Sequence, residues 1–528
     1  MKYLFYFITV LLAIANKTVI AQQINYDPSF GENGIATFSA SGAHLKLLKQ
    51  QDDKIVALGI RNKNTPTSYS FDIIINRFLP NGTIDSTYGN NGTVLLTYDD
   101  VDLEPRDMAL TPNNQLLVAY NLYTSITDYY PFVCRINADG TVDSSFADNG
   151  HLSLFANNVN DYNRKEVQSI VMAKDGKFIV GANGRESYQS QRPKIILNKY
   201  NADGTYALEF GNNGSALLAI VADTASYITG MKMQDDEKIL ITGTIHNITT
   251  DAGISKGEAA VLRYLANGTP DPSFGNQGVS VIRFMSESSR NYENLVAIQS
   301  DNKILVTSMN RHKLVLFRLL ENGQQDPNFA LGNVYKDTNC TAPTLALMNV
   351  YNTNILTLHN SENGQYIKSS VRHTEDGSLK TNYGIQGYKN IQFQSYSKGY
   401  GSVSLQYDNN SIVISGSVKS SSGSSTAALL KYTIDTTGIT NINTVDNDVS
   451  HISIYPNPAH NEVNITWNAA IKVQTLNLVN MMGQVVHTTA VAAQQQSANM
   501  LTNSFPAGVY TLQLHTDKGM AARKLVIQ

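Results

Sequence analysis

The chain has 528 residues, too many for one ordinary core, and only 16 % of them are charged, while 36 Gly and 28 Tyr accompany many Asn, Ser and Thr. That composition suits short strands and turns. A formal net charge of −3 leaves no surplus of Lys and Arg to neutralise a phosphate backbone, which argues against a nucleic-acid partner.

Lys2, the apolar run Tyr3 to Ala15, and Val19-Ile20-Ala21 ahead of Gln22 read as a secretory signal peptide, residues 1–21, cleaved after Ala21. The run is shorter than the ~20 residues a membrane-spanning helix needs, and Lys17 interrupts its far end. No other stretch is apolar enough to span a bilayer as a helix, so the mature chain is expected to lack a transmembrane segment.

From Asp27 an acidic-turn, aromatic-glycine motif recurs: Asp27-Pro-Ser-Phe30-Gly31, Asp85-Ser-Thr-Tyr88-Gly89 and Asp271-Pro-Ser-Phe274-Gly275, with looser copies at Phe146, Phe210, Phe329 and Tyr383. Two further blocks repeat in fixed order. One is a polar turn before an apolar strand, as at Asp53-Lys54-Ile55-Val56 and Asp301-Asn302-Lys303-Ile304. The other is a strand ending in a cation and a turn, as at Arg77-Phe78 to Gly82, Arg135 to Gly140, Lys199 to Gly204, Arg263 to Gly268 and Arg318 to Gly323, with weaker copies at Arg372 and Lys431. The period is near sixty residues, and seven copies fit before Gly438.

Within the first unit, strands are predicted at Ile35 to Phe38, Ala43 to Lys49, Lys54 to Ile60 and Asp72 to Phe78, and these four antiparallel strands are expected to form one blade. A lone sheet leaves apolar residues on both faces in water, and each exposed Val, Ile or Leu forgoes roughly 1.5–3 kcal/mol of burial. Radial stacking removes that loss, and the absence of a polar cap on either end unit favours a closed ring over an open array. The expected fold is therefore all-β: a seven-bladed β-propeller of four-stranded antiparallel blades over residues 22–438, then a linker and a small immunoglobulin-like β-sandwich.

The three blocks resemble the delta-60 repeat family over roughly residues 27–438. The resemblance implies a propeller in a secreted or surface protein and brings no catalytic residue with it. Ala207 and Lys380 stand where other units have Asp, which makes the repeated Asp a turn former and not obligatory chemistry. The cations at the strand ends are expected to pack blades, stem buried and head solvated or paired.

No linear motif assigns catalytic, cofactor-binding or metal-binding residues. Gly253-Ile-Ser255-Lys-Gly257 has the spacing of a nucleophile elbow but no following helix. The histidines show no zinc spacing. Asn137, Asp139 and Asp143 offer oxygens suited to calcium, against which stands simple capping of a turn. Cys134 and Cys340 fall in distant units and read as isolated thiols.

If the strands alternate up and down, the motif turns share one end of the ring and the variable loops the other. Those loops are Arg61 to Ser70, Asn121 to Pro131, Asn183 to Lys194, Thr244 to Glu258 and Met285 to Asn294. Loops on a rigid scaffold carry binding, and Tyr129, Tyr130, Arg185, Tyr188 and Arg192 are residue types that dominate interfaces. The expected activity is non-enzymatic binding or adhesion toward an extracellular protein or glycan. The alternatives are a secreted hydrolase or lyase with residues drawn from several blades, and a structural surface-layer component.

Residues 439–450 are polar and aperiodic, a linker. In 451–528, strand patterns recur at Glu462 to Trp467, Val473 to Val479, Val509 to His515 and Arg523 to Ile527. Tyr455-Pro456-Asn457-Pro458, Met482-Gly483-Gln484, Pro506-Ala507-Gly508-Val509-Tyr510 and Arg523-Lys524-Leu525 resemble the C-terminal sorting domain of the type IX secretion system. That resemblance implies an address read by the outer-membrane translocon, with Pro456, Asn457, Pro458, Gly483, Gly508, Tyr510 and Lys524 as recognition or packing elements. It places the protein outside the cell, by way of the periplasm.

Overall fold

The computed structural model describes residues 25–433 apart from 39–43, 64–69, 99–100, 125–128, 156–163, 186–193, 219–223, 248–255, 283–293, 311–312, 331–334, 338–346, 352–353, 361–365, 382–386, 393–395, 397, 409–410 and 421–424, and residues 452–528 apart from 469–471, 481–484, 493 and 517–518. The leader, the linker, Tyr188, Arg192, Ser255, Cys340, Tyr383 and Gly483 lie outside the described residues. The chain divides into one compact unit over Ile24–Thr436 and another that takes in Thr437–Gln528.

Every strand in the larger unit joins an antiparallel sheet. The first sheet comprises His44–Lys49, Ile55–Lys63, Ser70–Phe78 and Thr93–Leu96, in that order. Five more four-stranded sheets follow along the chain, the second from Asp102 to Ser153, the third from Arg164 to Leu218, the fourth from Thr224 to Ile282, the fifth from Asn294 to Asp337 and the sixth from Leu347 to Gln392. The seventh holds Lys398–Gln406, Ser411–Lys419 and Ser425–Thr433, and two N-terminal strands complete it: Asn25–Tyr26 and Ile35–Phe38 both pair with Ser425–Thr433.

This corrects the expected first blade. Ile35 faces Leu430 and Phe38 faces Ala427, so the strand that follows the first motif belongs to the sheet at the other end of the chain. The sequence repeat and the sheet are thus offset by one strand. In every later unit the offset is invisible, because the strand after the motif simply ends the preceding sheet.

The seven first strands touch their neighbours in turn, and Lys398–Gln406 touches His44–Lys49, so the sheets form a ring with these strands around its axis. The apolar clusters have the same cyclic logic. Leu58, Ile75 and Tyr88 pack on Met108 and Val118 between the first and second sheets, and Phe30, Leu429 and Val413 pack on Leu47, Ile55 and Phe78 between the seventh and the first. Each sheet buries its two faces on two neighbours, as the apolar runs at the centre of each unit require. The arrangement is a β-propeller.

The first strands are not regular. Five of them shift register at one corresponding place, between His44 and Lys46, Pro105 and Asp107, Val167 and Ser169, Ile228 and Gly230, and Gly401 and Val403. A bulge bends the strand and leaves backbone groups to be satisfied from elsewhere.

The smaller unit is two sheets over one core. Ser453–Tyr455, Glu462–Thr466 and Ser497–Leu501 form one, and Val485–Ala490, Val473–Val479, Gly508–Thr516 and Gly519–Ile527 the other. Val463 and Ile465 of the first meet Leu476, Leu478, Leu512, Leu514 and Leu525 of the second, with Trp467 closing one side. The four strands read from sequence are present; the remaining three were not signalled by alternation.

Candidate functional site

The recurring motif is a staple between neighbouring sheets. Each described aromatic of the motif is buried, Phe30, Tyr88, Phe146, Phe210 and Phe274 completely. Over four of them lies the cation of the strand-ending block, Arg77 at 4.3 Å from the Tyr88 ring centre, Arg135 at 4.5 Å from Phe146, Arg263 at 4.5 Å from Phe274 and Arg318 at 4.6 Å from Phe329. The motif Asp holds the same cation: Arg77 Nε donates to Asp85 Oδ2 at 2.8 Å, Arg263 to Asp271 at 2.8 Å and Arg318 to Asp326 at 2.8 Å. The other guanidinium nitrogens reach forward to the next unit's turn, Arg135 Nη1 to Ala202 O at 2.7 Å and Arg318 Nη1 to Thr374 O. The heads are thus paired; those of Arg77, Arg263 and Arg318 are buried, Arg318 being only 2 % exposed, and that of Arg135 is half-buried.

The repeated Asp does more than form a turn. Its Oδ1 accepts from the hydroxyl and amide two residues on, as Asp85 does from Thr87, while Oδ2 binds the cation. Burial opposes ionisation of Asp85, yet the Thr87 hydrogen bonds and the Arg77 charge outweigh it and bring the carboxyl to about 2. Asp139 and Asp143 are engaged in the same way, by Thr141, Ser145 and Arg135, and Gln115 donates to Asn137 and Asp143 at 2.9 Å. Lys199, beside Ala207, turns instead to Asp175 at 3.8 Å. Cys134 is a buried free thiol, pushed up to about 12 by burial.

With the motif absorbed by structure, the chemistry left over gathers at the other end of the second and third sheets. Antiparallel pairing puts the motif turns at one end and, at the other, the strand ends that lead into the variable loops. Tyr129 and Tyr130 open the strand Tyr129–Ile136 instead of lying in a loop, and Arg185 closes Phe178–Arg185. Strand termini fix these side chains more firmly than a loop does. Tyr129 meets Tyr123 edge-on at 4.3 Å, Tyr130 is 51 % exposed, and Arg185 lies 5.9 Å from the Tyr227 ring of the next sheet.

Toward the axis the Tyr123 hydroxyl donates to Glu104, whose Oε2 also accepts from Arg106 Nη2 at 2.7 Å. Burial first, and the charge of Glu166 on the adjoining first strand as well, raise the Glu104 carboxyl above the usual range despite Arg106. A tyrosine pair thus runs into a carboxyl-guanidinium pair beside a second carboxylate. Sequence reading named Tyr129 and Tyr130 but not Glu104, Arg106, Tyr123 and Glu166, which sit on strands with no distinguishing motif.

A second overlooked group holds the bulges. Asn121 donates to Val167 O at 3.3 Å and accepts from Val167 N at 2.9 Å; Asn183 accepts from Ile228 N at 2.9 Å; Asn360 pairs both ways with Gly401. Each amide reaches the residue at which the next sheet's first strand shifts register. Asn121 and Asn183, expected to begin variable loops, are buried clasps. For Asn121 and Asn183 the signal available was an Asn after five apolar or small strand residues.

In the smaller unit the expected sorting residues converge on the last strand. Asn457 Nδ2 donates to Lys524 O at 2.7 Å and its Oδ1 accepts from Val526 N at 2.9 Å, between two cis prolyl bonds at Pro456 and Pro458. Gly508 lies opposite Ile527 and Tyr510 opposite Leu525, with the Tyr510 hydroxyl on Pro506 O.

Residues 453–528 match the family described as secretion system C-terminal sorting domain, and residues 50–88, 112–146 and 234–274 match the domain of unknown function (DUF5122) beta-propeller. The chain carries both of these domains. The sorting domain indicates export by the type IX system to the cell surface or extracellular space. None of the curated proteins compared matches the chain. Solved structures similar to it include a protein of unknown function from Dyadobacter fermentans at 8 % identity, covering 64 % of this chain and 100 % of that one with a TM-score of 0.40, and an alpha-L-arabinanase from Penicillium chrysogenum at 11 %, covering 68 % and 98 % with 0.41. The beta-propeller domain of a Pyrococcus furiosus trilobed protease is similar at 10 %, covering 75 % and 94 % with 0.39. Among the described residues, no helix of the propeller or the sorting domain is long and apolar enough to cross a membrane.

Proposed function

We propose that the propeller is a seven-bladed ring spanning residues 22–438 that serves as a non-catalytic binding or adhesion module at the cell surface. A leader over 1–21 and a linker over 439–450 would flank it, and the sorting domain over 451–528, an immunoglobulin-like sandwich, would engage the type IX translocon. The observation that carries the binding reading is the Tyr123-Tyr129 pair, continuous with Glu104 and Arg106 at the loop end; the exposed Tyr130 lies on the other face of the same strand. Aromatic faces next to planar hydrogen-bonding groups suit a glycan or a protein loop, both of which offer apolar faces edged by polar groups. The test is a glycan array and a surface-protein pull-down with the secreted chain. Tyr129→Ala is expected to weaken the retained ligand at least tenfold; retention of no ligand, or no loss in the variant, would refute the reading.

One observation favours the enzyme alternative. A carboxyl raised by burial with a second carboxyl nearby is an arrangement acid-base hydrolysis uses, and Glu104 stands in that relation to Glu166. Turnover of a bound glycan that disappears in Glu104→Gln with binding retained would establish it. Unchanged glycan after prolonged incubation would leave the binding module.

A further inference from the structure

The seam between the first and seventh sheets contains a titratable ring that neither the staples nor the loop end uses. His44 opens the first strand of the first sheet and is 4 % exposed. Its Nδ1 lies 2.6 Å from Ser415 Oγ of the seventh sheet and its Nε2 3.3 Å from Asn76 Oδ1 of the first. Phe38, at the end of the closing strand, stacks on it with centroids 5.2 Å apart, and Phe78 meets it edge-on. One imidazole therefore touches both sheets and the strand that joins the two ends of the ring.

Its protonation state follows from its partners. Asn76 Nδ2 donates to Thr93 Oγ1, which leaves the Asn76 oxygen for His44. That oxygen only accepts, so Nε2 carries the proton and Nδ1 accepts from the Ser415 hydroxyl. Both nitrogens are satisfied in the neutral ring.

Among the described residues, a second proton would find no counter-charge. The groups facing His44 are Phe38 from the closing strand, Asn76 and Phe78 from Ser70–Phe78, and Ser415 from Ser411–Lys419; none of them titrates. Lys46 and Lys49 on its own strand are held by Asp107 and Asp53, and Asp72, farther along Ser70–Phe78, is held by Arg61 and Lys63. Burial accordingly pushes the ring down to about 4, with only the Asn76 hydrogen bond acting the other way.

We propose that His44 makes the seam of the propeller a pH-sensitive clasp, in which a proton on Nδ1 loosens the first sheet from the seventh and releases the strand Ile35–Phe38. A protonated Nδ1 must donate where it now accepts, so the Ser415 hydroxyl turns away and a charge is left between two phenyl rings. A group whose value is depressed in the closed state stabilises that state fully above its ordinary value, near 6.5, and loses the contribution as pH falls toward 4. At pH 5.0 the open seam is favoured about 30-fold more than at pH 7.5.

Hydrogen exchange on the secreted chain at pH 7.5 and 5.0, corrected for intrinsic rates, tests this. Protection of Ile35–Phe38 and Ser425–Thr433 is expected to fall about 30-fold, while Ile239–Asn247 in the fourth sheet is unchanged; His44→Gln, which keeps the hydrogen bonds without the titration, is expected to remove the difference. Equal losses in both sheets, or the same seam loss in His44→Gln, would overturn the proposal. Should that variant fail to fold, the His44 ring protons of the wild type decide by NMR: a midpoint near 4 accompanied by seam exchange supports the clasp, and one near 6.5 refutes it.

Discussion

Arg318 shows what a single motif residue contributes. Its guanidinium is buried with Asp326, covers Phe329 and reaches two carbonyls of the next unit, Thr374 O and Glu375 O. Arg318→Met strands a buried carboxylate, and the expected loss in urea-induced unfolding is about 3–5 kcal/mol. Arg318→Met with Asp326→Asn removes both charges and should lose clearly less; equal losses would mean that the forward reach to the next unit matters more than the pair. Asp85 gives the matching pH dependence. Its carboxyl, brought to about 2 against burial by Thr87 and Arg77, stabilises the fold above its ordinary value near 3.8, and that contribution disappears as pH falls through about 2. Asp85→Asn should flatten the acid limb of a stability curve by on the order of 1–2 kcal/mol between pH 4 and pH 2, and an unchanged limb would assign acid unfolding to other carboxyls.

At the scale of elements, the turns of adjacent sheets are in direct backbone contact. Gly89 N donates to Asp139 O at 2.7 Å, and a Cβ on Gly140, at φ +92, would come within 2.4 Å of Gly89 N in the preceding staple. Gly176 has a similar φ, +80, but open space around it. Gly140→Ala should therefore cost on the order of 3 kcal/mol and Gly176→Ala about 1, the strain of a positive φ alone; comparable midpoints in thermal unfolding would show that the turn contact is slack. The turns were legible in the sequence because their chemistry is local: a Gly for the left-handed backbone, an Asp or Asn whose side chain caps the amide two residues on. The asparagine clasps were not, since Asn121 and Asn183 follow apolar runs near the ends of their strands and locally resemble the start of a loop. Only the bulged strand of the following sheet, more than forty residues away, gives those amides their partners. Tyr123 and Glu104 were hidden for the same reason, being joined across two strands of one sheet.

Over the whole molecule, the period of the repeat conveyed that sheets would stack, because apolar faces recurred at each unit. It did not convey which strands belong together. Ile35–Phe38 follows its motif directly in sequence and yet pairs with residues near 430, a choice made by ring closure. This sets the two termini of the propeller in contrast to the sorting domain. The core around Trp467, Leu478 and Leu512 draws only on residues of the tail, whereas Phe30, Ala36 and Phe38 are part of the cluster between the seventh and first sheets. Deleting residues 451–528 should therefore leave the propeller's thermal midpoint within about 2 °C of the full chain while stopping its appearance outside the cell. Deleting residues 22–38 removes the strand that completes the seventh sheet and uncovers Leu429 and Ala427 along an open edge, an invitation to pair with another chain. Aggregation, or a midpoint lowered by ten degrees or more, is the expected outcome in a melt followed by light scattering. A soluble monomer with an unchanged midpoint would show that the ring holds without its closing strand, and would remove the physical basis of the clasp at His44 as well.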